Sequence, residues 1–112
     1  MKIQIIATGF ELTPDLQKYT RHKLKQVSHR LPRKMRLAAA CTVNYQQAVR
    51  AGAKYNTCEL TLALGNATLT SKETTPHMYA ALDVTAVHLE QQIRRQYRRR
   101  SILRGFGLGA VY

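Results

Sequence analysis

Two Thr-Pro dipeptides, each followed by a helical stripe of apolar residues, constrain the fold of this chain more than any other feature. Thr13 and Thr75 are residues that favour helix N-caps, and the prolines that follow them suit the first helical position. Apolar or small residues then recur every three or four positions, which is the repeat of one helix face. In the first helix, which Pro32 ends near residue 30, the stripe is Leu16, Thr20, Leu24, Val27 and Leu31; in the second it is Met78, Leu82, Thr85, Leu89, Ile93 and Gln96.

The segments outside the two helices alternate between apolar and polar residues, which is the pattern of half-buried strands. We predict strands over residues 2–8, 37–45, 54–64 and 67–73, with a loop at 46–53 and a tight turn at Gly65-Asn66. The residues expected to face inward from the two central strands are Ala39, Cys41, Val43 and Tyr45 in one and Cys58, Leu60, Leu62 and Leu64 in the other.

The resulting order of elements is β-α-β-β-β-α, which predicts an α+β domain. Each apolar helix stripe needs a sheet face, so both helices are expected on one face of a four-stranded mixed sheet. A right-handed β-α-β crossover makes the first two strands parallel, and two hairpins then reverse the chain. Each helix returns from a strand of the same direction, so the two helices are expected to be roughly parallel. We predict one domain over residues 1–100 and a flexible glycine-rich tail over 101–112.

The charge of the chain is strongly unbalanced. Lys and Arg number 18 against six Asp and Glu, which gives a net charge of +12. Such an excess favours nucleic acid or an anionic membrane surface as a partner. Most of the cations fall in two segments that contain no acidic residue. Their members are Lys18, Arg21, Lys23, Lys25, Arg30, Arg33, Lys34 and Arg36 in the first, and Arg94, Arg95, Arg98, Arg99, Arg100 and Arg104 in the second.

Both segments follow the first turn of their helices, and parallel helices have their C-terminal ends together. The two segments would therefore meet at one end of the helical layer. The sequence therefore predicts one basic patch, for which a polyanion is the simplest partner. The alternative is that the cations complement the helix dipoles. That explanation accounts for two or three cations in each helix but not for two acid-free segments of this size.

No catalytic motif is recognisable in the sequence. Phosphate-loop, dinucleotide-binding, zinc-protease and serine-nucleophile motifs are absent, and the six acidic residues are scattered. We therefore expect no enzymatic activity, no cofactor, no metal and no small-molecule substrate. Cys41 and Cys58 lack the spacing of a zinc site and are expected to be free, buried thiols.

Two further features of the sequence concern its compartment and its tyrosines. The first residues do not resemble a signal peptide, and no stretch approaches 18 consecutive apolar residues. We expect a soluble, cytoplasmic protein that does not bind a membrane. Tyr19, Tyr79 and Tyr97 lie at helix margins, where packing is a more common role than stacking on bases.

Four short strings of the sequence form a recognisable set. The chain opens with M-K-I-Q-I, and its first helix is entered by E-L-T-P-D-L at residues 11–16. The second helix starts with H-M-Y-A-A-L-D at 77–83 and continues with L-E-Q-Q-I-R-R at 89–95. From residue 1 to about 100, the chain thereby resembles the short form of the ribosome hibernation promoting factors, also called ribosome-associated inhibitors. The family usually has an acidic residue at the position of His77.

The resemblance implies the β-α-β-β-β-α fold of that family, whose layout is like that of double-stranded-RNA-binding domains. It implies a protein that binds the small ribosomal subunit between head and body, over the messenger and tRNA sites, and silences translation in stress or stationary phase. The implied partners are 16S rRNA and the 70S ribosome, with a chain that is monomeric when free and too short for the dimerisation domain of the long form. The residues then expected to contact rRNA are Lys18, Arg21, His22, Lys23, Lys25, His29, Arg30, Arg33, Lys34, Arg36, Arg94, Arg95, Arg98, Arg99 and Arg100.

Two other functions are compatible with the same residues. The chain could be a generic double-stranded-RNA-binding type of module without ribosome specificity. It could also be an adaptor that recruits a protein through its glycine-rich tail or an exposed strand.

Overall fold

The fold is a four-stranded sheet with its helices on one face. The computed structural model describes residues 1–65 and 67–107, with side chains described as far as residue 96. The elements are β1 (Lys2–Thr8), α1 (Pro14–Ser28), α2 (Arg33–Ala38), β2 (Ala40–Arg50), β3 (Ala53–Leu64), β4 (Ala67–Thr75) and α3 (Met78–Gly107). The strand order is β1-β2-β3-β4, with β1 parallel to β2 and the other pairs antiparallel. The predicted α+β class and mixed sheet are confirmed.

The core lies between the helices and the sheet, where the first predicted stripe is buried throughout. The second is buried from Leu82 to Ile93, and Met78 and Gln96 at its ends are partly exposed. The inward faces of β2 and β3 meet both stripes, and Tyr45 at the centre is fully buried. The Tyr45 hydroxyl and the Thr20 hydroxyl are 2.6 Å apart, and Thr20 also donates to the Leu16 carbonyl. Thr20 therefore occupies an apolar stripe without leaving its hydroxyl unpaired.

The two long helices run in the same direction, as predicted. Tyr19, early in α1, contacts Asp83, early in α3. Arg30, just past the end of α1, contacts Glu90, further along α3. Because both contacts advance together along the two helices, the C-terminal end of α1 lies beside the middle of α3.

A short helix, α2, stands where the sequence predicts the start of the second strand, and that prediction is wrong. Leu37 is helical, and β2 begins only at Ala40. The Arg36 guanidinium donates from Nε to the Ser28 carbonyl (3.1 Å) and from Nη2 to the Leu31 carbonyl (3.3 Å). These bonds give a side-chain donor to two carbonyls at and just beyond the end of α1, and they hold α2 against that helix. The order of elements is therefore β-α-α-β-β-β-α.

The predicted loop at 46–53 is also wrong. β2 runs to Arg50 and β3 begins at Ala53, which leaves a two-residue turn. Ala51 (φ 50°) and Gly52 (φ 80°) both have positive φ, as a type I′ hairpin turn requires. Alanine is uncommon in that conformation, so the turn carries a weak sequence signal.

Both ends of α3 differ from the predicted ones. The helix begins at Met78 rather than at Pro76, because β4 continues through Thr75. The Thr75 hydroxyl accepts a hydrogen bond from the His77 N–H (3.2 Å), so it orders the turn before the helix. At the other end α3 continues past residue 101 to Gly107. The flexibility predicted for the tail remains a prediction, and residues 108–112 lie outside the described part of the chain.

The two cysteines are free and buried, as predicted. Cys41 pairs with Leu62 and Cys58 pairs with Tyr45 across β2 and β3. The offset of four residues separates the two thiols by about 13 Å along the strands, beyond the reach of a disulfide.

We expect both thiols of the folded protein to resist modification by a disulfide reagent at pH 8. Burial raises the pKa of Cys41 and of Cys58 to about 12, so the reactive thiolate is scarce. The raised pKa also means that stability is present below the unfolded thiol pKa, near 9, and declines as the pH rises above it. Titration with and without guanidinium chloride measures the thiols, and fast reaction of the folded protein would contradict their burial.

Candidate nucleic-acid interface

The outer face of α1 carries exposed cations because its opposite face supplies the core. The buried stripe of the helix faces the sheet, so the residues half a turn away face solvent. The predicted site residues on this outer side, all of them exposed, are Lys18, Arg21, His22, Lys25 and His29. His22 lies 3.3 Å from the Gln26 amide, and the His29 N–H closes the end of the helix by donating to the Gln26 carbonyl.

Three of the predicted site residues have partners within the protein. Lys23 Nζ lies 3.4 Å from Asp83 Oδ1, and Arg30 Nε donates to Glu90 Oε2 at 3.1 Å. Arg36 donates to carbonyls at the end of α1 and is partly buried. These three cations stabilise the contacts between helices, so their charge is less available to an external anion than that of their neighbours.

Tyr19 of α1 and Asp83 of α3 are in contact along the seam where these two helices pack together. The Tyr19 hydroxyl donates to Asp83 Oδ1 at 2.7 Å, and its ring lies 5.1 Å from that of Tyr79. The hydrogen bond to Asp83, assisted by desolvation and by the negative charge of that acid, raises the pKa of Tyr19. Tyr19 therefore packs between the two helices, as the sequence predicts. The side chain of Tyr97 lies outside the described part of the structure.

The second cationic segment begins at Arg94, one helical turn beyond Glu90. Arg94 and Arg95 are exposed, and Arg94 follows Glu90 by four residues on the same side of α3. Since Glu90 contacts Arg30 at the end of α1, the two cationic segments adjoin. Arg98, Arg99 and Arg100 lie further along α3, and their side chains are outside the described part of the structure.

We define the basic face as the exposed cations of α1, α2 and the part of α3 beyond Glu90. The members of the basic face are Lys18, Arg21, Lys25, Arg33, Lys34, Arg94 and Arg95. Within the described part of the chain, none of these residues forms an ion pair. The arrangement offers a positively charged surface that runs along the outer side of α1 to the end of the helical layer, suited to repeated phosphates rather than to a single small anion.

The sequence patterns did not predict that the fold places two acidic residues beside cations of the first segment. Asp83 and Glu90 are seven residues apart, two helical turns, and so lie on one flank of α3. They meet Lys23 and Arg30, which are also seven residues apart in sequence. Matched spacing on two parallel helices is the signal that could have revealed these pairs.

Among the described residues, four exposed cations lie on the strands, away from the basic face: Lys2, Arg50, Lys54 and Lys72. Arg50 and Lys54 flank the turn of the β2–β3 hairpin. This hairpin projects at the end of the sheet where β1 finishes and α1 begins, since Thr8 pairs with Gln46. It is therefore remote from the C-terminal end of α1.

The described residues contain neither a metal-binding cluster nor a helix that could span a membrane. No cluster of three or more His, Cys, Asp or Glu side chains in that part of the chain could hold a metal ion. No helix there is long and apolar enough to cross a membrane.

Similarity to known proteins agrees with this architecture. The chain is similar to a ribosomal subunit interface protein from Coxiella burnetii, with a TM-score of 0.72, 19% identity, and coverage of 88% of this chain and 99% of that one. It is also similar to the N-terminal domain of Protein Y from Thermus thermophilus, with a TM-score of 0.69, 22% identity, and coverage of 85% and 98%. At these identities the likeness shows the fold.

The sequence itself identifies the family. No curated protein matches the chain. The family model described as sigma 54 modulation protein / S30EA ribosomal protein matches residues 3–101, almost the whole chain. The resemblance to ribosome hibernation factors is thereby confirmed at the level of the family: the chain belongs to the sigma 54 modulation protein / S30EA ribosomal protein family.

Proposed function

We propose that this chain binds the small ribosomal subunit in the cytoplasm, occupies the cleft used by messenger and tRNA, and inhibits translation in stress or stationary phase. The observation that carries the proposal is the basic face, in a member of a family of ribosome-associated proteins. Its cations would neutralise phosphates of 16S rRNA, and the folded body would exclude other ligands from the cleft. The free chain is proposed to be a monomer that binds 30S subunits and 70S ribosomes.

The charge distribution supports contacts to the RNA backbone rather than to individual bases. Among the described residues, the outer face of the sheet carries a single aromatic side chain, Tyr55, beside the β2–β3 turn, and its central strands present mainly Thr42, Asn44, Thr57 and Thr61. Lysine and arginine on rigid helices recognise phosphate spacing and groove shape. Ribosome binding of this kind needs no cofactor and no chemical step.

Sedimentation of a cell lysate tests the proposal against its alternatives. Co-migration with 30S or 70S particles is expected. Migration with free RNA, abolished by ribonuclease, would instead indicate a generic RNA-binding module. Ribonuclease-resistant association with a single non-ribosomal protein would indicate an adaptor. Added purified protein should also reduce synthesis of a reporter in a cell-free translation reaction.

Glu90→Gln is expected to strengthen binding to the small subunit by up to about tenfold at 0.1 M salt. The substitution releases Arg30 from its ion pair and can add one phosphate contact, worth about 0.9 of a decade at that salt concentration. Because the pair lies at the surface and the Arg30 side chain is 59% exposed, the free energy of unfolding should change by less than about 1 kcal/mol. Affinity can be measured with a fluorescently labelled chain and purified 30S subunits.

Glu73→Gln provides the matched control. Glu73 Oε2 lies 3.2 Å from His88 Nδ1 in a surface contact on the side of α3 that faces β4. The Glu73→Gln substitution removes the same unit of negative charge as Glu90→Gln, but at a position away from the seam between α1 and α3. An equal gain in affinity from both substitutions would show that only net charge matters, and not the position of Arg30.

A further inference from the structure

The solvent-facing side of α3 is apolar over its first turns. Ala80, Val84 and Val87 follow the i, i+4, i+7 spacing of one helix face, opposite the stripe that packs on the sheet. Val84 is 38% exposed and Val87 is 47% exposed, and Tyr79 beside them is 43% exposed. We call these four residues the α3 apolar face.

This part of α3 is apolar on two opposite sides, which is unusual for a helix on a protein surface. A helix with apolar residues all round is normally buried on both sides. Valine is also a poorer helix former than lysine or glutamate, so helix stability does not favour it at exposed positions. The α3 apolar face therefore has the composition of a contact surface.

Its composition also separates it from the basic face. The chain has 18 Lys and Arg residues, yet α3 has none before Arg94. A surface that met rRNA phosphates would gain affinity from lysine or arginine at Val84 and Val87. The apolar residues indicate that the partner at this surface presents side chains rather than phosphates.

The cations around the α3 apolar face define the partner's charge. Lys23 at its edge is paired with Asp83, whereas Arg94 and Arg95, exposed at its C-terminal end, form no ion pair within the described residues. A partner that covers the valines would therefore gain from acidic residues at its rim. A second copy of this chain carries the same cations around the same surface, so like charges would meet.

We infer that the α3 apolar face binds a protein of the small ribosomal subunit, through apolar side chains bordered by acidic ones. The inference rests on the proposed function and adds a second contact of different chemistry. The basic face would supply long-range attraction to rRNA, and the α3 apolar face would fix the orientation of the chain in the cleft. Neither contact requires the other to change its structure.

The variant Val84→Lys/Val87→Lys separates a protein contact from an RNA contact by the sign of its effect. If the surface binds apolar side chains, the variant should bind purified 30S subunits at least about tenfold more weakly, despite its two added positive charges. Tighter or unchanged binding would overturn the inference. Lysine favours helix formation more than valine does, and circular dichroism should confirm an unchanged fold.

Thr68→Lys/Thr70→Lys is the matched control. Both threonines are exposed on the outer face of β4, so this variant adds the same charge elsewhere. Its affinity should equal or exceed that of the unmodified chain. Weakening equal to that of the α3 variant would overturn the inference, because added charge alone would then explain the loss.

A photo-crosslinking residue at Val87 of the full chain identifies the partner directly. After irradiation with 30S subunits, a crosslinked product that survives ribonuclease and is destroyed by protease supports the inference. Crosslinks to rRNA alone, to a second copy of the chain, or to nothing overturn it. Co-sedimentation measured in the same samples distinguishes these results from failure of the proposed function, in which the chain would not bind the subunit.

Discussion

Replacing Lys18, Arg21 and Lys25 by glutamine is expected to weaken binding to the small ribosomal subunit by about 10²-fold or more at 0.1 M salt. All three side chains are exposed on α1 and belong to the basic face. Each lost phosphate contact removes about 0.9 of a decade of affinity at that salt concentration and lowers the salt slope by about one. Because glutamine is nearly as good a helix former as lysine and arginine, the fold should be retained.

The corresponding change on α3, Arg94→Gln/Arg95→Gln, should also weaken binding, by about tenfold to 10²-fold. Both variants should act because the contact between Arg30 and Glu90 places the two segments side by side. Thr57→Ser/Thr61→Ser on the outer sheet face serves as a control and should have little effect. If one cationic segment proved silent, the single basic face would be incorrect. If the cations served only the helix dipoles, the variants would lose thermal stability and keep their affinity.

Gly9→Ala is expected to lower the free energy of unfolding by about 3 kcal/mol. Gly9 has a φ of +86°, and an added Cβ would overlap the carbonyl oxygen of Gln47 on β2. Gln47 in turn donates to Asn56 Oδ1, and the Asn56 amide donates to the Pro76 carbonyl just before α3. Displacing Gln47 therefore disturbs the junction between the hairpin and α3. Thermal unfolding should show a decrease in Tm of more than about 10 °C.

Gly52→Ala isolates the conformational part of that effect. Gly52 also has positive φ (+80°), but an added Cβ would have no neighbour within 4 Å. We expect a loss of only about 1 kcal/mol, from the left-handed conformation alone. Equal destabilisation by the two substitutions would argue that the close approach to Gln47 contributes nothing.

The sequence was sufficient to predict the parts of the fold that depend on periodic burial. The stripe of α1, the stripe of α3 from Leu82 to Ile93, and the inward faces of β2 and β3 are buried as expected. Cys41 pairs with Leu62 as a symmetric register requires. The parallel direction of the two helices followed from these elements and from their order along the chain. Each prediction rested on a long repeat that only one secondary structure can satisfy.

Short elements and element ends were not predictable in the same way. α2 has six residues, too few to show a helical repeat, and it is held by the Arg36 bonds to carbonyls of α1. The β2–β3 turn uses Ala51 in a conformation that favours glycine. These features depend on contacts between distant parts of the chain rather than on local pattern.

The candidate site was predicted in composition but not in its internal pairing. The exposed positions of Lys18, Arg21 and Lys25 followed from the helical repeat. The neutralisation of Lys23 and Arg30 by Asp83 and Glu90 did not, because it depends on how α1 and α3 align. The structure therefore directs charge-removal experiments to the cations of the basic face.

The salt dependence of binding to purified 30S subunits, at constant magnesium concentration, tests the central claim most directly. If about six to ten cations meet rRNA phosphates, affinity should fall by about 10³–10⁵-fold between 50 and 200 mM monovalent salt, by analogy with duplex binding. Removing Lys18, Arg21 and Lys25 should reduce the slope by about three. Affinity that stays constant across this range would contradict recognition of the ribosome through the basic face.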